Sequence, residues 1–246
     1  MFPNYKKTHP PLWLERNKWF RKLYALRRVL HYSKKPLFSY TDAFLDCLIL
    51  YGVMAPDEGF FVDVGCFHPV HHNATYSLYK RGWRGINIDV DEVKIEAFNI
   101  KRPKDINVAC AVSERAGKVK YRKHSFWSQL NSLEELEKSK KGKWREMTVD
   151  ANTLTHLIDS TPYKGHPIDF LNVDVEGHEI SVLRALDFDR YRPKVVCVEM
   201  WAGSLDEVMR SELYSLMIDR GYQLINWMVV NLVFLHQDCP PLRFPK

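Results

Sequence analysis

The stretch Gly59-Phe60-Phe61-Val62-Asp63-Val64-Gly65 decides the fold class, because it is a short apolar run that ends in an acid and a glycine. Such a run is typical of a buried parallel strand that leads into a loop. Helical and strand-like patterns then alternate, with a helix predicted over 74–81, a strand over 85–89, a helix over 92–99 and a strand over 105–112. This β-α-β-α-β succession predicts a doubly wound α/β domain with a mostly parallel sheet.

The rest of the chain continues the alternation. The predicted elements are strands over 118–122 and 145–149, a helix over 152–159, a strand over 168–174, a helix over 179–186, a strand over 193–199, a helix over 204–220, and a closing antiparallel hairpin over 221–226 and 229–236. We therefore expect one domain over residues 59–246, with a seven-stranded sheet. A nicotinamide-binding domain has a similar order of elements, so the motifs must decide between the two classes.

Residues 1–58 are predicted to form a basic helical extension. Residues 1–40 hold ten Lys or Arg residues and a single acid, Glu15, although the whole chain has a net charge of only +6. Helices are predicted over 12–32 and 40–51. In the first, the apolar positions at helical spacing are Trp19, Phe20, Leu23, Leu26 and Leu30. This cationic amphipathic helix either packs its apolar stripe on the main domain or docks on an anionic membrane or glycolipid.

Several features that the sequence lacks bear on the cellular location of the protein and on the state of its cysteines. No apolar run approaches the roughly 20 residues that a spanning helix needs. Residues 1–11 lack the apolar core of a secretory signal. The five cysteines fit neither a disulfide framework nor a zinc site. We expect a cytoplasmic protein, with peripheral membrane contact through residues 1–40 as the alternative.

Four predicted strands end in acids, namely Asp63, Asp89, Asp174 and Glu199. The carboxyl ends of parallel strands meet at one edge of the sheet, where ligands of such folds bind. The first loop has one glycine, Gly65, where a dinucleotide fingerprint has three. A pyrophosphate needs the missing glycines, whereas S-adenosylmethionine carries no phosphate. The motif therefore favours S-adenosylmethionine, with Asp63 attracting its ammonium directly or through water and Gly65 letting the chain pass under the cofactor.

The next two strand ends complete the predicted cofactor site. A carboxylate at Asp89 can accept hydrogen bonds from both ribose hydroxyls, a device that nicotinamide enzymes share. Val90, Ala111 and Val112 are placed to enclose an adenine ring.

The fourth of these strand ends has the most groups that could take part in catalysis, in the stretch Asp174-Val175-Glu176-Gly177-His178-Glu179. We predict that His178 is the general base, with Asp174 or Glu176 orienting it. The alternative is a Mg²⁺ or Mn²⁺ site that uses Asp174 and Glu199. Trp201 follows Glu199 closely, and either stacks on a sugar ring or packs in the core.

Residues 62–65, 82–89 and 168–179 resemble the FkbM-type methyltransferases in residues, order and spacing. The resemblance covers roughly residues 59–200 and leaves the basic segment 1–58 outside. It implies a class I methyltransferase fold and transfer of a methyl group to a hydroxyl oxygen, often of a sugar in a glycan, glycolipid or secondary metabolite. Asn73 and Thr75 match an Asn-Thr pair of one branch of the family, which implies that they line the cofactor end of the pocket.

Three other classes of protein compete with this prediction. A nucleic-acid or protein methyltransferase would use the basic segment for docking, but the fourth strand lacks the Asn/Asp-Pro-Pro-aromatic motif of enzymes that methylate flipped bases. The missing glycines argue against a nicotinamide oxidoreductase. A non-catalytic glycan- or membrane-binding protein on the same fold would have no evident need for the four carboxylates. The oligomeric state stays open.

Overall fold

The computed structural model describes residues 12–32, 57–123, 127, 145–228 and 230–239. The strands are β1 Phe60–Val64, β2 Arg84–Asp89, β3 Ile106–Ala109, β4 Ala111–Val112, β5 Gly117–Lys123, β6 Arg145–Asn152, β7 Phe170–Val173, β8 Val195–Glu199, β9 Tyr222–Met228 and β10 Asn231–His236. A 3-10 turn spans Leu12–Arg16, and the helices are α1 Lys18–Tyr32, α2 Tyr76–Arg81, α3 Glu92–Lys101, α4 Leu154–Asp159, α5 Glu179–Arg184, α6 Phe188–Tyr191, α7 Leu205–Arg210 and α8 Glu212–Asp219.

The main sheet has seven strands in the order β3-β2-β1-β7-β8-β10-β9. Neighbours from β3 to β8 pair in parallel, and β10 runs antiparallel to both β8 and β9. The chain runs outward from β1 to β3 and later returns to place β7 on the other side of β1. The predicted doubly wound sheet with its closing hairpin is confirmed, and its switch point lies between β1 and β7.

The central position of strand β1 explains why its sequence is apolar almost throughout. All five of its residues are buried, because the strand lies in the centre of the sheet with helices over both faces. Val62 and Val64 face the larger core cluster, whereas Phe61 packs in a second cluster with Phe170 and Val195. Alternate residues of β1 therefore pack in two different core clusters.

Two predicted elements are divided in the structure. The predicted strand 105–112 contributes β3 to the main sheet and β4 to a small three-stranded sheet of order β4-β6-β5. The division falls at Cys110, whose N–H still donates to the Asp89 carbonyl at 3.1 Å, while Ala111 already pairs with Ala151. The predicted helix 204–220 breaks at Ser211, which has extended backbone and whose hydroxyl accepts from the N–H of Tyr214.

The basic segment packs on the domain through a face that differs from its predicted apolar stripe. Asn17 caps α1 by accepting from the N–H groups of Trp19 and Phe20. Ala25 and Val29 are buried in one cluster with residues of α3, and Phe20 of the predicted stripe packs against that cluster. The other four predicted residues are exposed, namely Trp19, Leu23, Leu26 and Leu30. The predicted helix 40–51 lies outside the described residues, and the boundary at residue 58 stays a prediction. No helix in the described ranges has the length and hydropathy to cross a bilayer.

Candidate active site

The first predicted site residue, Asp63, lies inside a closed polar network. Its carboxylate is fully buried and accepts from Asn73 Nδ2 at 3.0 Å, Thr75 Oγ1 at 2.9 Å and Asn172 Nδ2 at 2.9 Å. Burial raises the pKa of Asp63, while the hydrogen bond from Asn172 and the charge of Arg102 lower it. Because the carboxylate is fully buried, a direct contact with a cofactor ammonium would require the side chains around it to move. The geometry is therefore better suited to an indirect electrostatic role.

Arg102 stands behind this network and was missed by the sequence analysis. Its side chain is fully buried, with Nε donating to Asp105 at 2.8 Å and Nη1 donating to Asn73 Oδ1 at 2.9 Å and Thr75 Oγ1 at 3.0 Å. Asn73 and Thr75 thus link the Asp63 carboxylate to a guanidinium. Asn172 could have been found from strand pairing, because it is in register with Asp63. No sequence pattern points to Arg102.

The predicted ribose acceptor, Asp89, is buried and already accepts three hydrogen bonds. These come from the N–H of Phe67 at 3.2 Å, the N–H of Asp91 at 2.9 Å and Lys94 Nζ at 3.0 Å. Burial lowers the pKa of Lys94, but the charges of Asp89 and Asp91 outweigh it and raise the pKa above its usual value. A ribose at this carboxylate would therefore share it with a charged ammonium, which the sequence analysis did not anticipate.

A cavity of about 490 Å³ lies beside Val90, the residue after Asp89. This volume suits a small organic ligand. Its wall includes residues from the main sheet, the small sheet and the N-terminal segment, among them Val90, Ala109, Cys110, Tyr121, Lys123, Met147, Glu15, Arg16 and Arg21. Ala111 and Val112 are buried in β4, next to Cys110, and are not part of the wall. Of the three residues predicted around adenine, Val90 is the one that faces this space.

Three carboxylates converge at the ends of β7 and β8. Oxygens of Asp174, Glu176 and Glu199 lie within 4.8 Å of one another. The protein atoms packed around Asp174, together with the charges of Glu199 and Glu176, raise the pKa of its carboxyl well above the usual range, although solvent reaches it. Burial also raises the pKa of Glu199, and the two side chains share a hydrogen bond. Two carboxyl oxygens can share such a bond when one carboxyl keeps its proton. The donor set suits Mg²⁺ or Mn²⁺, both of which prefer oxygen ligands.

His178 and Trp201 border this carboxylate cluster in sequence but differ in environment. His178 precedes α5, and its Nε2 is buried without a hydrogen-bond partner in the described structure. Neither Asp174 nor Glu176 therefore orients the ring through that atom. Trp201 is 76% exposed, and its side chain lies close enough to Glu199 to oppose the rise in the pKa of that carboxyl caused by burial. The structure thus places an aromatic face in solvent next to the carboxylates.

The sheet order, the closing hairpin and the acids at the carboxyl edge define a class I methyltransferase. The family model described as the methyltransferase FkbM domain matches residues 53–224, which is more than half of the chain. The protein therefore belongs to the FkbM methyltransferase family and is an S-adenosylmethionine-dependent methyltransferase.

Comparison with curated proteins gives no significant match. Among solved structures, a TehB-like SAM-dependent methyltransferase from Corynebacterium glutamicum ATCC 13032 Kitasato is 16% identical, with 90% of this chain and 100% of that chain covered and a TM-score of 0.42. Monomeric WbdD is 12% identical, with 82% and 42% covered and a TM-score of 0.44. CalO1, a methyltransferase in calicheamicin biosynthesis solved in its SAH-bound form, is 14% identical, with 91% and 70% covered and a TM-score of 0.35. The assignment to the methyltransferases rests on the family match and not on these structural similarities.

Proposed function

We propose that this protein methylates a hydroxyl oxygen of a sugar in a glycan, glycolipid or other glycoconjugate. The observation that carries the proposal is the exposed Trp201 indole, which lies next to Glu199 and so beside the carboxylates of Asp174 and Glu176. An aromatic face stacks on the apolar face of a sugar ring, and carboxylates accept hydrogen bonds from its hydroxyls. The resemblance to enzymes that methylate sugar hydroxyls supports the same acceptor.

The reaction is an in-line displacement at the sulfonium methyl. An O–CH₃ bond forms as the S–CH₃ bond breaks, S-adenosylhomocysteine leaves as a neutral thioether, and the hydroxyl proton passes to a base. Alignment of the acceptor oxygen with the methyl group supplies much of the catalysis. A sugar hydroxyl is a weak nucleophile at neutral pH, so the identity of the base decides the mechanism.

The geometry supports Glu199 as that base better than His178. We assign the proton of this pair to Asp174, because burial and the neighbouring charges raise its pKa the more strongly, so that Glu199 is the member of the pair that acts as the ionised base. A raised pKa makes a carboxylate a stronger base once it is ionised. The buried Nε2 of His178 would have to be uncovered before it could reach an acceptor. His178 therefore fits a positioning role next to α5.

The matched pair Glu199→Gln and His178→Ala separates these roles. If Glu199 is the base, Glu199→Gln lowers kcat by at least about a hundredfold with S-adenosylhomocysteine affinity nearly unchanged. His178→Ala then lowers kcat much less. The reverse order of effects would return His178 to the base role. Equal loss of turnover and cofactor affinity in both variants would assign neither residue to proton transfer.

The three carboxylates also support a second candidate, a divalent cation bound by Asp174, Glu176 and Glu199. A bound Mg²⁺ or Mn²⁺ would lower the pKa of the acceptor hydroxyl, and it would replace the proton that Asp174 and Glu199 share. Titration of the protein with Mn²⁺ alone, followed by electron paramagnetic resonance, tests this site without reference to activity. Tight binding that Glu176→Gln weakens, together with loss of turnover in a chelator, would favour the metal.

The acceptor is tested with S-adenosylmethionine labelled in its methyl group. The protein is incubated with extracts of its source cell, which are then separated into glycan and glycolipid, protein, nucleic acid and small molecules. Acid- and base-stable label in the glycan and glycolipid fraction, strongly reduced by Trp201→Ala and partly retained by Trp201→Phe, supports the proposal. Label in RNA or protein instead would overturn the acceptor and leave the methyltransferase assignment intact.

A further inference from the structure

Helix α1 presents an apolar strip to solvent, formed by Trp19, Leu23 and Leu26. Their exposed fractions are 81%, 66% and 40%. Residues spaced by three or four positions lie on one side of a helix, so these three form a continuous strip. Trp13, in the turn before the helix, is 67% exposed. Single exposed apolar residues are ordinary, but a continuous strip of large ones marks an interaction surface.

The strip is not the face that holds α1 on the domain. Ala25 and Val29 are buried against Val93 and Ala97 of α3, and their small size lets the two helices approach closely. Arg21 turns toward the domain as well, where it forms an ion pair with Glu92 at 3.0 Å. The helix is therefore anchored through its inner face, with the apolar strip directed outward.

Exposed cations border the strip on both sides. At 100° per residue, Lys22 and Arg27 fall on opposite flanks of Trp19, Leu23 and Leu26, and both are exposed. Arg16 and Lys18 are exposed just before them. The one acid of residues 12–32, Glu15, is buried and paired with Lys123 at 2.5 Å, so it does not offset these charges. The outer face of the segment is thus apolar at its centre and positive at its margins.

We propose that α1 docks the protein on an anionic lipid surface. Trp19, Leu23 and Leu26 enter the boundary between headgroups and acyl chains, while Lys22 and Arg27 contact lipid phosphates. This is the pattern of interfacial helices, whose apolar face is buried and whose cations attract anionic lipid. A nucleic acid would leave the apolar strip uncovered, and a second copy of α1 would bring its cations against like charges. The inference is independent of the acceptor proposed above.

Docking would place the cavity beside Val90 close to the membrane. Glu15, Arg16 and Arg21 belong to the same N-terminal segment as the strip, and all three line the cavity beside Val90. A lipid-linked acceptor would then meet the enzyme without leaving the surface. Membrane docking would therefore explain the exposed cations of the basic segment, which packing on the domain does not explain.

The test measures sedimentation of the full chain with phosphatidylcholine vesicles, with and without phosphatidylglycerol. Wild-type protein should bind the anionic vesicles and not the neutral ones. The variant Trp19→Ser/Leu23→Gln/Leu26→Gln should lose more than about a hundredfold in affinity, because three apolar side chains no longer enter the bilayer. Lys22→Gln/Arg27→Gln should lose about thirtyfold. Melting temperature and S-adenosylhomocysteine affinity should stay unchanged in both, because neither set of positions supports the fold or lines the cavity.

A matched control changes exposed apolar residues elsewhere, as Ile100→Gln/Met209→Gln/Ile218→Gln, and should bind vesicles like the wild type. The proposal is overturned if wild-type protein ignores anionic vesicles, or if the strip variant binds them as well as the control does. It is also overturned if the strip variant instead converts a dimer to a monomer in light scattering, or abolishes RNA binding, because the strip would then serve another partner. None of these readouts involves methyl transfer, so failure here is distinguishable from failure of the proposed acceptor.

Discussion

The α-carbon of Gly65 packs directly against the carbonyl oxygen of Asp174. A Cβ atom added to Gly65 would lie 1.7 Å from that oxygen, and Gly65 also has a φ of +82°. The loop after β1 and the loop after β7 are therefore fitted together with no room for a side chain. The glycine predicted to lie under the cofactor is also the contact that positions the first residue of the carboxylate cluster.

Gly65→Ala should destabilise the protein and displace the Asp174 carboxylate. A non-glycine residue in the left-handed region costs about 1–2 kcal/mol, and the contact with the Asp174 carbonyl adds to this because backbone must move. The matched control is Gly165→Ala, which has a similar φ of +73° but nothing within 4 Å of the added Cβ. Thermal unfolding and S-adenosylhomocysteine titration should show a large loss in Gly65→Ala and a small loss of stability alone in the control. Similar losses in both would mean that φ, and not the contact, requires the glycine.

Asp174→Asn should stabilise the protein at alkaline pH. Burial and the neighbouring charges hold the folded-state pKa of Asp174 above its value of about 3.9 in an unfolded chain. An acid with a raised folded pKa destabilises the fold as pH rises through the window between the two values, because its ionised form is disfavoured there. Asparagine carries no charge and can still donate to Glu199. The melting temperature of the variant should exceed that of the wild type at pH 8, and the difference should vanish near pH 3. Asp219→Asn, at an exposed position, should show no such gain.

The sequence predicts the main sheet well because burial leaves a direct pattern. Strand β1 is buried on both faces, so its run is apolar except for Asp63, and the acids at or near the ends of β1, β2, β7 and β8 mark the sheet edge. The division of the predicted strand 105–112 at Cys110 has no such signal, because β3 and β4 are both apolar and consecutive. Likewise, the spacing of Trp19, Leu23 and Leu26 shows that α1 is amphipathic, but it does not show which face packs. The smaller Ala25 and Val29 form that contact because they allow closer approach.

The residues of the candidate site likewise divide into those that the sequence predicts and those that it does not. Asp63, Asp89, Asp174 and Glu199 could be placed because strand ends locate them without further information. Arg102 and Lys94 could not, because their partners are contributed by other elements of the fold. The sequence also does not predict that the Nε2 atom of His178 is buried, because this depends on packing around α5. Position along a strand is encoded locally, whereas hydrogen-bond partners are set by tertiary structure.

Glu179→Gln should shift the acid limb of the pH–rate profile to lower pH. The charge of Glu179 raises the pKa of both Asp174 and Glu199. Its Oε1 also accepts from the N–H groups of Val175 and Gly177, a role that the glutamine amide oxygen can keep. The variant therefore removes a charge with little change of structure, and less alkaline conditions should then suffice to ionise the base. The check is kcat against pH, with the exposed Glu114→Gln as control. An unchanged acid limb would show that these carboxylates do not supply the base.

Lys123→Met should be among the most destabilising single changes in the small sheet. Lys123 is buried and pairs with Glu15 at 2.5 Å and Asp91 at 2.7 Å, so it neutralises two buried carboxylates that join the N-terminal segment to α3. Removing one partner of a buried ion pair typically costs about 3–5 kcal/mol, because the remaining charge is left uncompensated.

Lys118→Met, on the same strand, is its control, because Lys118 pairs with Asp150 at the surface and such pairs contribute about 0–1 kcal/mol. Urea unfolding should separate the two variants, and limited proteolysis should cleave the N-terminal segment around residues 12–32 faster in Lys123→Met but not in Lys118→Met. The pKa of Glu15 is raised by burial despite the opposing charge of Lys123, so acidification should narrow the gap between the variants as the carboxyl takes up a proton. Equal stability of the two variants at neutral pH would show that the N-terminal segment is held by the Ala25 and Val29 contacts alone.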